Sequence, residues 1–319
     1  MMKTAFITGI TGQDGAYLSK LLLENGYTVI GIVRNIQSKN IKGCRYLDVA
    51  ENIIFEEADL LDLSRIVKLI HQYQPSEIYH LAAQSSVGTS FKEPRSTLYF
   101  NINSTINFLE AIRSQKPDCR FYNASSSEMF GKVDELPIKI NTPMHPLSPY
   151  AVAKASTHWS VVNYREAYKL FVVNGILFNH ESYLRHENFF VKKVIMQAVI
   201  NKDNPNWILK VGNIDVKRDF GYSPEYVNAM WLMLQQSVPK DYMICTGKSI
   251  TLRSIIEYVF KKLQIDLSKL QIEESLFRPS DIIDIYGDNS NAVKDLKWKY
   301  TANFFEVIDQ LIDEEIANL

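Results

Sequence analysis

The sequence predicts an α/β protein built on a doubly wound parallel sheet, with a smaller, discontinuous α/β domain toward its C-terminal end, and three observations predict it. Short β-branched runs alternate with helical patterns through the first half of the chain, the signature of βαβ units with right-handed crossovers. A glycine-rich turn stands between the first such strand and the first helix. After about residue 178 the alternation weakens into shorter, less regular elements, as expected of a substrate lobe set onto a sheet domain.

Strands are expected at 4–8, 28–33, 53–56, 77–81, 121–124 and 170–177, each a short run rich in β-branched or aromatic residues. Between them 16–25, 63–72, 94–114 and 150–168 carry apolar residues at helical spacing, giving six strands and at least four helices. Farther along, the pattern predicts a helix near 189–200, a strand near 208–211 and helices over 224–235 and 252–263. No internal repeat, low-complexity segment or Gly/Ser-rich linker separates the parts, so the two lobes should share one tight cleft.

Composition narrows the classes. The 319 residues are 46% hydrophobic and 22% charged, an ordinary globular balance that leaves ample chain to bury a core. With 35 basic against 36 acidic side chains the net charge is −1, which offers no footprint for nucleic acid or an anionic membrane. No apolar run reaches the roughly 18 residues that span a bilayer, and MMKTAFITG lacks the features of a signal peptide, so a cytoplasmic protein is expected. Cys44, Cys119 and Cys245 are far apart and form no CxxC, which suits small core hydrophobes rather than disulfides or zinc ligands. The six histidines show no HExxH or other metal pattern, and no metal is expected.

Directly after the first strand the chain reads Thr8-Gly9-Ile10-Thr11-Gly12-Gln13-Asp14-Gly15 and passes at once into AYLSKLLLENG. Glycines at this spacing permit a tight turn, let backbone approach a pyrophosphate and allow close helix-on-strand packing, while the helix N-terminus presents free N–H groups. Strand, glycines and helix in this order favour a Rossmann-type dinucleotide site over a plain turn. Where NAD-binding versions place an acid on the ribose 2′-hydroxyl, the second strand ends in Val33-Arg34-Asn35. A guanidinium there suits a 2′-phosphate, so NADP is favoured with NAD left open; a solvated surface arginine is the alternative. Asp59 and Leu60 after the third strand are placed to meet the adenine edge, and Leu81, Ala82 and Ala83 after the fourth offer backbone contact with the cofactor; strand-end packing is the alternative for both.

In Tyr150-Ala151-Val152-Ala153-Lys154 a phenol and an ammonium lie four residues apart, on one face of a helix. A free tyrosine titrates near 10, and an adjacent lysine charge favours the phenolate, which can take the proton of a sugar hydroxyl as hydride leaves the same carbon. The preceding strand ends in NASSSEMFG, where the Ser126 hydroxyl can hydrogen-bond the reacting oxygen. Two residues on, Glu128 could remove the acidic C5 proton of a 4-keto sugar and help the C6 hydroxyl leave as water; a surface glutamate in a loop is the alternative.

At this point the sequence resembles the extended short-chain dehydrogenase/reductase family and, within it, the GDP-mannose 4,6-dehydratases. The likeness runs through TGITGQDGAYL, EIYHLAAQSSV, NASSSEMFGKV, SPYAVAK, VVNYREAYKLFVVNGILFNHES, NIDVKRDFG, YVNAMWLMLQ and FRPSDI. It implies oxidation of GDP-mannose at C4, elimination of water across C5 and C6 and return of the hydride to C6, with NADP unchanged overall. On that pattern Tyr150 is the C4 base, Lys154 lowers its pKa, Ser126 stands where the family uses threonine or serine, and Glu128 is the C5 base. The resemblance adds His180 and Arg185 to the cofactor contacts, with Tyr150 and Lys154, and assigns Ser85, Ser126, Glu128, Asn179, Asn188, Lys193, Arg218 and Arg278 to the sugar nucleotide. Arginine and lysine there suit diphosphate oxygens and the guanine edge, and each is otherwise an ordinary surface or loop residue. The domains expected are 1–180 with about 218–247 for the dinucleotide, and about 181–217 with 248–319 for the sugar nucleotide.

Departures accompany the likeness. After FNHES the family continues Pro-Arg-Arg-Gly, whereas this chain reads Tyr183-Leu184-Arg185-His186, in a loop that the family associates with NADP contact and tetramer formation. The family's double arginine after the second strand is reduced to Arg34, and the stretch between Phe220 and Arg278 is shorter than usual, which leaves a GDP-heptose open as substrate. A nucleotide-sugar 4-reductase, 4-dehydrogenase or epimerase is the competing activity, and a silent NADP-binding module the competing class. For assembly, 94–114 and 150–168 carry Leu98, Phe100, Phe108, Leu109, Val152, Trp159 and Val162, enough to pair in an intersubunit four-helix bundle of a homodimer or homotetramer; burial within one chain is the alternative.

Overall fold

A computed structural model of the chain describes residues 3–37 and 40–319. In chain order the sheet half comprises β1 (Thr4–Thr8), α1 (Gln13–Glu24), β2 (Thr28–Val33), α2 (Lys42–Tyr46), β3 (Ile53–Glu57), α3 (Leu63–Tyr73), β4 (Glu77–His80), α4 (Val87–Lys92), α5 (Pro94–Gln115), β5 (Arg120–Ser126), α6 (Pro149–Tyr168) and β6 (Val172–Leu177). There follow β7 (Asn179–Glu181), α7 (Phe190–Asn201), β8 (Leu209–Val211), β9 (Lys217–Arg218), β10 (Phe220–Tyr222), α8 (Ser223–Leu234), β11 (Tyr242–Ile244), β12 (Ile250–Thr251), α9 (Leu252–Lys262), β13 (Leu270–Ile272) and α10 (Phe304–Ala317).

Seven parallel strands form the central sheet in the order β3-β2-β1-β4-β5-β6-β11. Side chains alternate across it as the strand period requires. Ala5 and Ile7 of β1 face a core shared with Leu18 and Leu22 of α1 and Met230 of α8, while Phe6 faces a second core with Ile66 of α3, Phe108 of α5 and Val161 of α6. A third core gathers Val194 of α7, Ile256 of α9, Phe220 and Ile308 of α10 beside the sheet.

Local chemistry sets the helix ends. The Asp62 carboxylate accepts the Arg65 amide at the start of α3, and Gln74 closes that helix in the left-handed region at φ 45°. Ser148 caps α6 by accepting the Ala151 amide, Pro149 occupies its first turn, and Lys169 ends it at φ 58°.

The six expected strands and the helices between them are all present. β11 was not expected, because YMI is too short to carry a pattern of its own, and α10 and the two-stranded pairs β7-β10, β9-β12 and β8-β13 were likewise missed. Phe108 and Leu109 lie in the chain's own core with no exposure, so they are not available to a partner. Tyr99 and Trp159 are each 60% exposed, and Val152 is exposed as well. All three cysteines are buried and unpaired. Among the described residues no helix is long and apolar enough to cross a membrane.

At Gly15 a Cβ would stand 2.4 Å from the Gly9 carbonyl oxygen and 2.5 Å from the Ile10 Cα, both backbone atoms that cannot swing aside. Gly15→Ala is therefore expected to push α1 off β1 and lower unfolding stability by about 1–3 kcal/mol. Urea unfolding would read it, and an unchanged midpoint would show that the turn has slack.

Candidate active site

The strand order reverses between β1 and β4, and the crevice of a doubly wound sheet opens at that reversal. Thr8 at the end of β1 holds the two sides in register. Its Oγ1 accepts the amides of Leu81 and Ala82, each at 3.1 Å, so its own proton points to His80 Nδ1 at 2.9 Å. Burial pushes the His80 imidazole down to about 3, and it serves as a neutral acceptor. Gly9 follows at φ +70°, where a Cβ would lie 2.8 Å from the Ala82 nitrogen. Its carbonyl accepts the Gly12 amide at 2.9 Å, and α1 then starts at Gly12 with no side chain capping its first amides.

These elements border a cleft of about 1310 Å³ that continues to the C-terminal part of the chain. Gly9, Thr11, Gly12 and Gly15 of the glycine loop line it, with Arg34 after β2, Leu60 after β3 and Leu81, Ala82, Ala83 and Ser85 after β4. Asn101 of α5 clamps the adjoining backbone, accepting the Gln84 amide at 2.8 Å and donating to the Gln84 carbonyl at 3.1 Å. Asp59 is an exception among the expected cofactor residues. It is exposed, its carboxylate is turned back to accept the Leu61 amide at 3.0 Å, and it does not border the cleft.

Gln13 and Asp14 border the cleft, and their side chains also hydrogen-bond within the chain. Gln13 donates to the His180 carbonyl at 3.0 Å and accepts from Ser182 at 2.8 Å. Asp14 accepts from His180 Nε2 at 2.9 Å and from the Ser223 hydroxyl at 2.7 Å. Burial raises the Asp14 carboxyl, but His180 and Ser223 outweigh it and hold the group below its ordinary value. The other His180 nitrogen faces the Phe178 carbonyl at 2.7 Å, so the ring is held at both nitrogens. These three residues border the cleft, and their side chains also fasten α1 to β7 and α8.

The catalytic candidates meet at the ends of β5 and α6. Ser126 ends β5, and its Oγ accepts the Glu128 amide at 3.3 Å in the short 3₁₀ turn Ser127–Phe130. The Tyr150 phenol lies near that same hydroxyl, which favours its ionised form. One turn along α6, Lys154 Nζ donates to the Ala124 carbonyl at 2.6 Å and lies 5.8 Å from the Tyr150 ring centre. All four side chains border the cleft.

The lysine was expected to lower the tyrosine pKa, and in this structure it does not. Burial pushes Tyr150 up to about 12, with Ser126 opposing and the Glu128 charge assisting the rise. Burial also pulls Lys154 down to about 8, and its nitrogen is engaged by a carbonyl rather than by the phenol. A dry site disfavours phenolate and ammonium alike.

Of the expected sugar-nucleotide residues, Asn179, Asn188, Arg218 and Arg278 border the cleft and Lys193 does not, its Nζ donating to the Lys210 carbonyl at 3.2 Å. Arg218 donates to the Ile282 carbonyl and to Asp281 Oδ1, each at 2.6 Å, and Arg278 approaches the same carboxylate oxygen at 3.6 Å. Asp281 was missed, as was Glu181, a buried carboxylate 3.5 Å from Arg185 that also borders the cleft. Both sit inside motifs quoted above, FRPSDI and FNHES, but their arginine partners give no spacing that marks the pairs.

A family model described as GDP-mannose 4,6 dehydratase matches residues 6–311. The chain belongs to the GDP-mannose 4,6-dehydratase family. GDP-mannose 4,6 dehydratase 1 of Arabidopsis thaliana is 39% identical over 98% of this chain and 90% of its own length. GDP-mannose 4,6-dehydratase of Sinorhizobium fredii is 36% identical, covering 99% of this chain and 97% of that protein. Among solved structures, DesIV, a dTDP-glucose 4,6-dehydratase from Streptomyces venezuelae with NAD and TYD bound, has a TM-score of 0.89 at 18% identity, covering 99% of this chain and 97% of its own. RMD from Pseudomonas aeruginosa complexed with NADPH has a TM-score of 0.82 at 22% identity over the whole of both chains. At these identities the likeness to the solved structures is one of fold.

In this member of the GDP-mannose 4,6-dehydratase family the depressed Lys154 makes a signed prediction. Below about pH 8 the folded chain buries the ammonium at full cost; toward the ordinary lysine value the unfolded chain alone binds the proton, and the penalty fades as pH rises. Lys154→Met is expected to raise stability at pH 7 by about 1–3 kcal/mol, with the gain shrinking toward pH 10. Thermal midpoints across that range check it, and a destabilised variant at pH 7 would mean that the ammonium is well compensated.

Proposed function

We propose that this protein is a GDP-mannose 4,6-dehydratase that works with a nicotinamide dinucleotide, NADP in preference to NAD. The observation that carries the reading is the placing of Glu128: a carboxylate bordering the same cleft as Ser126 and Tyr150, with its backbone amide on the Ser126 hydroxyl. Oxidation and reduction at one carbon need only the tyrosine, lysine and serine. An added carboxylate is what removal of a carbon-bound proton and departure of a hydroxyl require.

The cleft fits a dinucleotide. A Cβ at Gly9 would fill the close approach to Ala82, and the first amides of α1 have no side-chain cap. Arg34 at the end of β2 supports NADP, and the glycine loop with Leu60 and Leu81 to Ala83 supports the rest of the cofactor. When bound, the nicotinamide supplies the hydride acceptor and, oxidised, a positive charge beside the phenol. Tyr150 takes the C4 hydroxyl proton, and Ser126 hydrogen-bonds the oxygen left behind. Glu128 then removes the C5 proton, made acidic by the C4 ketone, and returns a proton to the C6 hydroxyl as it leaves as water; the hydride taken from C4 would come back to C6 as C5 takes up a proton, which leaves the cofactor unchanged overall. Arg218 and Arg278 hold the diphosphate, with Ser85, Asn179 and Asn188 toward the rest of the sugar nucleotide. The separate core of α7, α9 and α10 supports a sugar-nucleotide domain of about 181–217 and 248–319 against a dinucleotide domain of 1–180 with about 218–247. Exposed Tyr99, Val152 and Trp159 support a homodimer through α5 and α6.

The test is to incubate the purified protein with GDP-mannose in deuterated water, with and without added NADP. Mass spectrometry and NMR should show loss of one water and deuterium at C5. Glu128→Gln should lower turnover by about 10²–10⁴-fold and abolish the exchange. Folded, cofactor-loaded protein that removes no water would reject GDP-mannose as substrate, and stoichiometric consumption of NADPH on a 4-keto sugar would make the enzyme a reductase instead.

A further inference from the structure

We propose that Tyr183 and Leu184 form a clamp within the chain that holds α2 against the mouth of the cleft and so helps retain the dinucleotide; this rests on the cofactor reading above. The loop after β7 starts from a fixed point, because the Ser182 hydroxyl donates to Gln13 of α1 at 2.8 Å and the Arg185 amide donates back to the Ser182 carbonyl at 3.0 Å. Its side chains then part. Arg185 faces the cleft, paired with Glu181 and lying 3.6 Å over the Phe189 ring. Tyr183 and Leu184 reach α2.

The contact with α2 is close and specific to side chains. A Cβ on Gly43 would stand 3.3 Å from both a Leu184 methyl and the Ala16 Cβ, so α2 is wedged between α1 and Leu184. The Tyr183 ring lies 4.9 Å from that of Tyr46, and the Lys192 ammonium sits 4.1 Å over its centre. Lys192 is itself paired with Glu315 of α10, and the Tyr46 hydroxyl donates to Glu314 at 3.1 Å. One ring thus stands among α2 on the sheet side and α7 and α10 on the other. Tyr46 is held up to about 12 by burial and the carboxylate beside it, so the hydroxyl stays a donor.

α2 needs such a hold. It is five residues long, far below the length at which a helix sustains itself, and Cys44 is its one fully buried side chain. Asn40, two residues before it, borders the cleft. If α2 loosens, that wall loosens with it. These are also the residues at which the sequence leaves the family pattern, Tyr183-Leu184 standing in place of Pro-Arg.

NADPH and NADH titrations followed by cofactor fluorescence, with GDP binding by calorimetry alongside, test the clamp. Tyr183→Ala and Leu184→Ala should each weaken NADPH binding by about tenfold, while Tyr183→Phe, which keeps the ring, stays within about twofold of the parent. GDP affinity should not move, and hydrogen exchange should show amides 42–46 protected by NADPH in the parent and unprotected in Tyr183→Ala. Unchanged NADPH affinity in both alanine variants, or an equal loss for GDP and NADPH, would overturn the clamp while leaving the dinucleotide site standing. A parent protein that binds neither NADPH nor NADH would overturn that site and the clamp with it.

Discussion

The buried pair of Asp14 and His180 is the contact on which the two halves of the molecule depend. An acid in the first turn of a helix normally faces solvent and complements the helix dipole. In this position it would also repel a diphosphate at the same helix end. Asp14 escapes that conflict by facing the interior, where His180 Nε2 at 2.9 Å and the Ser223 hydroxyl at 2.7 Å engage its two oxygens. The histidine is fixed in turn by the Phe178 carbonyl and by stacking on Tyr226 at 4.6 Å. One carboxylate therefore ties the glycine loop to the point where the chain leaves the sheet, through His180, and to the start of α8, through Ser223. Removing one member of such a pair strands a buried charge, typically at a cost of about 3–5 kcal/mol. From that fixed point Glu181 and Arg185 reach the cleft and the Tyr183 loop begins.

The same dryness governs the reacting groups. Tyr150 is pushed up and Lys154 down by burial, so the ligand-free protein stores neither a phenolate nor a fully favoured ammonium. Positive charge entering the cleft would favour the phenolate. Glu128 works against it, since its charge raises the phenol further.

Periodicity and glycine spacing were enough to read the sheet half, because its strands are buried on both faces and its helices are long. Gly9 and Ala82, which border the cleft, could be placed at this end for the same reason: each follows a strand whose end is visible in the sequence. What escaped was short or non-local. β11 is three residues, α2 five, and the pairs β7-β10 and β8-β13 join segments some 40 to 60 residues apart, as Asn179 with Phe220 and Leu209 with Leu270. Side-chain direction was the other gap. Motif position places Gln13, Asp14 and His180 at the cleft, which they border, but does not show that their side chains also hydrogen-bond across to β7 and α8. Asp59 and Lys193 do not border it, and a nearby amide and a nearby carbonyl engage their polar ends.

The arginines show what such non-local pairing achieves. Arg218 is buried, its guanidinium fixed by the Ile282 and Lys217 carbonyls and by Asp281. Arg278 is half exposed and reaches the same carboxylate only at 3.6 Å. The first is already ordered and loses little side-chain freedom when it meets an anion; the second keeps its freedom and loses more. Asp281 neutralises part of the charge of both, so the protein does not leave two guanidinium groups uncompensated in a closed cleft. An anion entering this end of the cleft has to compete with that shared carboxylate for both guanidinium groups.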